Sequence, residues 1–256
     1  MKVLIVGFVL AAFCGVVMCN DCPSCPCNYP NIFCAGKSSA SGCVVIELTL
    51  AQRQILLDAH NQCRSNVAKG LNPALPFPTG LTEVTWDADL AKGATQNANQ
   101  CVNGHDQCRN TPTCQNAGQN IYQGSSSQPI TNFDVHLQSA VKKWCDENTS
   151  CDAAQIASYL ETTPNGVIGH FTQIVNEQST KIGCALSYYT KNAWYNAYIV
   201  CNYAYGNILK EKVYSFNTNA PFAIANAGSK CPNKKSTRYP DLCDTSFNCG
   251  IEASVA

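Results

Sequence analysis

Cysteine placement constrains this chain more than any other feature. Of its 18 cysteines, Cys14 and Cys19 fall in an apolar leader and the other sixteen run from Cys22 to Cys249. A chain held in a reducing compartment carries so many thiols only around metal clusters, and the repeated Cys-x-x-Cys pairs of zinc ribbons are absent. Cys22-Pro23-Ser24-Cys25 stands alone, with no second such pair. The number is even, so the reading is an oxidised chain with eight bridges. A body of this length can bury a sizeable core, so the bridges staple that core rather than replace it.

The leader fits the oxidised reading. Lys2 supplies a positive start, Val3 to Val17 is almost wholly apolar, and Val17-Met18-Cys19 ends it on small or apolar residues. That pattern predicts a signal peptide over residues 1–19, too short to span a bilayer, and hence a secreted, extracellular protein with no transmembrane anchor. Lys plus Arg equals Asp plus Glu, at 17 each. No basic stripe is long enough to suggest nucleic acid. The one local basic cluster, Lys230, Lys234, Lys235 and Arg238, reads as a solvated loop.

Residues 20–44 form a Cys- and Pro-rich extension without periodicity. A helix is predicted after Thr49, where Thr49 and Gln52 make a capping-box pattern and Ile55, Leu56, Ala59, Cys63 and Val67 share one face. Asp87 reads as the N-cap of a second helix with Leu90, Ala91, Ala94, Ala98 and Cys101 inward. A third helix is predicted from Thr131 to Trp144. Beyond Gly169 the pattern changes. Gly169 to Val175 reads as strand-like, and Ile182 to Tyr188 and Tyr198 to Asn202 alternate as two strands around a polar turn at Lys191 to Asn196. Helices followed by strands indicate an α+β fold. Cys184 and Cys201 close a short loop across that hairpin, and nearness alone suggests Cys145 with Cys151. The three tail cysteines, 231, 243 and 249, are odd in number, so at least one should bridge to the body.

Three separated stretches carry a family likeness: His60-Asn61-Gln62-Cys63-Arg64, Gly169-His170-Phe171-Thr172-Gln173-Ile174-Val175, and Tyr198-Ile199-Val200-Cys201-Asn202-Tyr203. Together they resemble the CAP superfamily of cysteine-rich secretory, antigen-5 and pathogenesis-related-1 proteins. Ala98 to Cys108 and Gly118-Gln119-Asn120 look like its insect antigen-5 branch. The resemblance implies a three-layer α-β-α sandwich over residues 45–208, with the Cys-rich extension before it and a Cys-containing tail over residues 209–256. It implies the bridges Cys43–Cys101 and Cys184–Cys201, with Cys22–Cys34 and Cys25–Cys108 also suggested and Cys27 competing for a place.

The resemblance also implies a cleft tetrad at His105, Gln119, Glu147 and His170. Two imidazoles and a carboxylate can bind zinc, but Gln119 stands where many relatives carry glutamate, and an amide is the poorer ligand. Two readings stay open: a weak zinc site of His105, Glu147 and His170 with Gln119 on its rim, and a hydrogen-bonded polar cluster needing no cofactor. His60 reads as a satisfied core histidine and His136 as surface. Asn148-Thr149-Ser150 is a glycosylation sequon at Asn148. No HExxH or GxSxG arrangement occurs, so no catalytic residue is assigned.

The resemblance points to a secreted, non-enzymatic salivary or venom effector and allergen. Its partner is read as a small hydrophobic ligand, held by faces carrying Leu56, Phe133, Leu137 and Val141, or as a host extracellular protein. A general extracellular protein of insect gut or haemolymph is the alternative, and a metal-dependent hydrolase a remoter one.

Overall fold

The computed structural model describes residues 29–35, 39–226, 228–231 and 234–245, together with Pro23 and Cys25. The leader and the cysteines at 22, 27 and 249 lie outside the described residues.

The longest helix, α2 (Leu50–Ala68), follows the short α1 (Ile32–Ala35) and β1 (Val44–Ile46). It begins where the capping box places it. Thr49 Oγ1 accepts from the Gln52 amide at 3.2 Å, and Gln52 Oε1 accepts from the Thr49 amide at 3.1 Å. Next come β2 (Thr85–Trp86) and α3 (Ala88–Ala98), the latter capped by Asp87, whose carboxylate accepts from Asp89 and Leu90. The chain continues through β3 (Gly118–Ser126), α4 (Asp134–Asp146), a 3-10 turn (Glu147–Ser150) and α5 (Ala153–Ala157). The small pair β4 (Thr162–Thr163) and β5 (Gly166–Val167), α6 (Gly169–Val175), β6 (Lys181–Lys191) and β7 (Trp194–Tyr203) complete it.

The sheet runs in the order β1-β6-β7-β3, with β2 added parallel to β6. Alternation along the strands builds a layer on each side. Ile182, Cys184 and Leu186 of β6, with Ile199, Cys201 and Tyr203 of β7, face a core shared with α2, α4 and α6. Ala185 and Tyr189, with Tyr198 and Val200, face Ala94 and Ala98 of α3. The result is the α-β-α sandwich that the sequence suggests. At Gly183 the α3 layer touches the sheet directly, since a Cβ there would run into the backbone of Asp87 and Ala91.

Several expectations need correction. Gly169–Val175 is a helix, not a strand. Every residue from Phe171 to Val175 is buried, and an apolar run buried on all sides carries no periodicity to separate the two states. The strand β3 has no sequence signature, because Gly-Gln-Asn-rich segments are poor strand formers. Pairing with β7 along its whole length, from Gly118↔Tyr203 to Ser126↔Tyr195, makes it one. The third helix starts at Asp134, where the Asn132 side chain accepts from the Asp134 amide at 3.0 Å. The hairpin turn is only Asn192-Ala193, both at positive φ (51° and 63°).

The described bridges are Cys25–Cys108, Cys43–Cys101, Cys63–Cys145, Cys184–Cys201 and Cys231–Cys243. Cys34 is also disulfide-bonded; Cys22, its implied partner, lies outside the described residues. Cys145 does not pair with Cys151. It faces Cys63 and ties α4 to α2, while Cys151 is a free, buried thiol that burial pushes up to about 12. The expectation that all sixteen cysteines are bridged therefore fails at Cys151. In the tail, Cys231 and Cys243 pair with each other rather than with the body. That tail lies along α2: Leu242 is buried with Ala68 and Leu81, and Arg238 pairs with Asp58 at 2.8 Å. Lys234 likewise pairs with Asp244 at 3.5 Å, so two members of the basic cluster are ion-paired.

Candidate functional site

Between the end of α3 and the start of α6 lies a cleft of about 560 Å³, whose lining includes His105, Gln119, Asn120 and His170. Its walls come from separate elements, each anchored locally. His105 sits in the loop after α3. Asn97, on the last turn of that helix, donates to Gly104 O at 3.2 Å and to Asp106 Oδ2 at 3.0 Å, fixing the loop on either side of it. Gln119 and Asn120 lie on β3, and His170 opens α6.

The His105 side has one consistent hydrogen-bond assignment. Gln119 Nε2 donates to Asp106 Oδ2 at 2.7 Å and to Asn202 Oδ1 at 2.9 Å. Both partners only accept there, so Oε1 of Gln119 must face His105, whose Nδ1–H donates to it at 2.8 Å. Asp106 is held further by Arg109, whose Nε lies 2.7 Å from its carboxylate.

On the opposite side Glu147 closes the end of α4 and reaches α6. Its Oε2 accepts from the backbone amides of His170 at 2.8 Å and Phe171 at 3.1 Å, and its Oε1 accepts from His170 Nδ1 at 2.6 Å. The residue before α6, Ile168, offers no side-chain cap. Glu147 is therefore the N-terminal cap of α6, supplied from another helix, and at the same time fixes its imidazole. The ring of Trp144 stacks on His170 with centroids 6.1 Å apart at 15°.

The structure thus brings His105, Gln119 and His170 to one cleft, with Glu147 behind His170. The donor set does not fit a zinc ion held by three protein ligands. No group of three or more His, Cys, Asp or Glu metal donors lies together among the described residues, and Glu147 spends three of its four lone-pair sites on the start of α6. Neither cleft imidazole bonds to a Ser, Thr or Cys side chain among the described residues.

The apolar residues proposed for a hydrophobic ligand lie elsewhere. Leu56, Leu137 and Val141 are fully buried in the main core and Phe133 packs against it. His60 is a core histidine, bonded to Leu56 O and Tyr203 Oη at 2.7 Å each. His136, expected at the surface, is half-buried beside Tyr122, and its Nδ1 has no partner among the described residues. Asn148 is half-buried, and its Nδ2 donates to Cys145 O at 2.7 Å. Asn120, Asn202 and Asp106 had no role assigned from sequence. The register of β3 on β7 sets Asn202 opposite Gln119, facing α3, and Asn120 opposite Cys201, facing α6, so the two asparagines serve the cleft from opposite faces of the sheet.

Such a sandwich, cross-braced by disulfides and presenting an imidazole-lined cleft, defines the class of protein to which the chain is matched. The model of the cysteine-rich secretory protein (CAP) family matches residues 57–203, and the chain belongs to that family. Within it the chain falls in the antigen-5-like branch. It is 30% identical to Venom allergen-1 of Aedes aegypti over 244 residues, covering 94% of this chain and 90% of that one. It is 36% identical to Venom allergen 5.02 of Vespa crabro, covering 65% of this chain and 81% of that one. Among solved structures, Na-ASP-1 superposes with a TM-score of 0.62 at 26% identity, covering 77% of this chain, which spans 47% of that longer one. NaASP2, solved with Zn2+, superposes with a TM-score of 0.58 at 26% identity, covering 81% of this chain and all of that one.

Proposed function

We propose that this chain is a secreted, non-enzymatic effector of the antigen-5 type that engages an extracellular host protein through the polar cleft. Its disulfides favour an oxidising, extracellular setting, and among the described residues no helix is long and apolar enough to cross a membrane. The observation that carries the reading is the state of the two cleft imidazoles. Each is fixed through Nδ1, to Gln119 and to Glu147, and neither bonds to a hydroxyl or thiol that it could activate. Such groups recognise a ligand; they do not form a nucleophile–base pair. The cleft mixes Gln, Asn, His and Arg side chains with Tyr159, Val167 and Ile208 and forms no continuous apolar tunnel, a mixed lining that suits a protein surface better than a lipid chain. The zinc named with NaASP2 belongs to that protein; here no three His, Cys, Asp or Glu donors lie together among the described residues.

The test uses the secreted protein immobilised and exposed to vertebrate plasma and, separately, to insect haemolymph. Retention of a plasma protein that a His105→Ala/His170→Ala variant fails to retain supports the host-effector reading. Retention from haemolymph alone supports a role inside the insect. Retention identical for both proteins, or hydrolysis of a retained protein, sinks the proposal.

A further inference from the structure

We infer that His60, on the buried face of α2 and outside the cleft, is a positioning residue for His170, acting beside the direct contacts of Glu147. The inference does not depend on what the cleft binds.

Two routes run from His60 to His170. The first is a chain of hydrogen bonds with every hydrogen assigned. Leu56 O can only accept, so His60 Nδ1 carries the proton and Nε2 carries the lone pair. Tyr203 therefore gives its single hydroxyl hydrogen to His60 Nε2 at 2.7 Å. Asn120 Nδ2 donates one hydrogen to the Tyr203 oxygen and the other to the carbonyl of His170, both at 3.0 Å. His60, Tyr203 and Asn120 are 0%, 1% and 1% exposed, so no water competes for these bonds. The chain has one direction and no spare donor. Without an acceptor at position 60, the Tyr203 hydrogen has nowhere to go but toward Asn120, which is itself donating.

The second route is ring packing. The His60 ring lies 6.1 Å from that of Trp144, which stacks in turn on the His170 ring. One route thus holds the backbone of His170 and the other supports its imidazole. Burial lowers His60 to about 4, which keeps it in the neutral form the chain requires.

The next turn of α2 acts on the same helix. Arg64 is fully buried, and its Nη1 donates to Ile174 O at 2.7 Å and Asn176 O at 3.0 Å, at the C-terminal end of α6. A helix of seven residues does not hold itself together. Glu147 serves its N-terminus, Arg64 its C-terminus and His60 the residue that enters the cleft. The His60–Arg64 stretch and the Gly169–Val175 stretch, far apart in sequence, are thus built into one unit.

A core histidine with no positioning role would lower stability when disturbed but leave the cleft unchanged, and the experiment separates the two. The full secreted chain is labelled with ¹⁵N-histidine, and the ring resonances of His105 and His170 are followed by NMR. Tyr203→Phe removes one oxygen and breaks the chain. Ile199→Val, on the same strand and in the same core, loosens packing without touching the chain. Positioning predicts that Tyr203→Phe shifts and broadens the His170 Nδ1–H resonance while His105, held by Gln119, keeps its wild-type position, and that Ile199→Val moves neither. If His170 is unmoved in Tyr203→Phe, or moves equally in Ile199→Val, the inference is overturned. Should Tyr203→Phe fail to accumulate, Asn120→Ser cuts the chain one link further on and is read by the same criteria.

Discussion

At Gln119 two acceptors, the Asp106 carboxylate and the Asn202 side-chain carbonyl, take hydrogens from the same Nε2. A glutamate there would set its carboxylate against Asp106 and leave Asn202 without a donor. An amide at position 119 thus follows from its neighbours. Gln119→Glu should destabilise the fold by about 2 kcal/mol at neutral pH, and by less near pH 4, where the new carboxyl takes up a proton; denaturant midpoints at the two pH values check this. His60 gives a second prediction. The unfolded chain binds its proton near 6.5 and the folded chain only near 4, so the unfolded state holds more protons between these values. The stabilisation is complete above about pH 6.5 and is lost as pH falls to 4. The loss is about 3 kcal/mol, from ~1.4 kcal/mol per pKa unit. In His60→Gln that part of the acid slope should vanish; an unchanged slope would show that the proton is taken up elsewhere.

Among the elements, legibility followed locality. The starts of α2 and α3 were readable because Thr49, Gln52 and Asp87 satisfy amides within three residues of themselves. The segment carrying His170 reads as a strand because its caps are remote: Glu147 and Arg64 lie on other helices, and no local pattern announces them. The strand β3 was invisible for the same reason, since its polar residues become a strand only against β7. The cleft was half legible. Its imidazoles stand in recognisable stretches, and so do Asn120, Asn202 and Asp106, but which of these neighbours bonds to which cleft residue depends on the register of β3 on β7. Two predictions belong to this scale. Ala193 occupies a left-handed turn position at φ 63° where glycine is favoured, so Ala193→Gly should stabilise the protein by about 0.5–1 kcal/mol, measured by thermal unfolding. The Cys63–Cys145 bridge spans 82 residues against 17 for Cys184–Cys201. In the chain-entropy picture its removal by paired alanines should cost roughly 1.4 kcal/mol more. Equal losses would mean that native-state packing, not loop closure, sets the contribution.

For the whole molecule, the division of labour between core and cleft is the main consequence. The apolar faces of α2 and α4 are consumed in joining helices to sheet, while the polar residues gather where α3, β3 and α6 meet. Binding through that place is tested most directly by a photo-reactive side chain at Val167, which is 53% exposed and lines the cleft. A matched probe at Lys142, on the outer face of α4, serves as the control. Exposed to plasma, the protein probed at position 167 should capture a discrete partner. That capture should be suppressed by excess unlabelled protein but not by the His105→Ala/His170→Ala variant, and the probe at 142 should capture nothing comparable. Equal capture from both positions, or competition by the double variant as effective as by the wild type, would contradict a cleft-centred function.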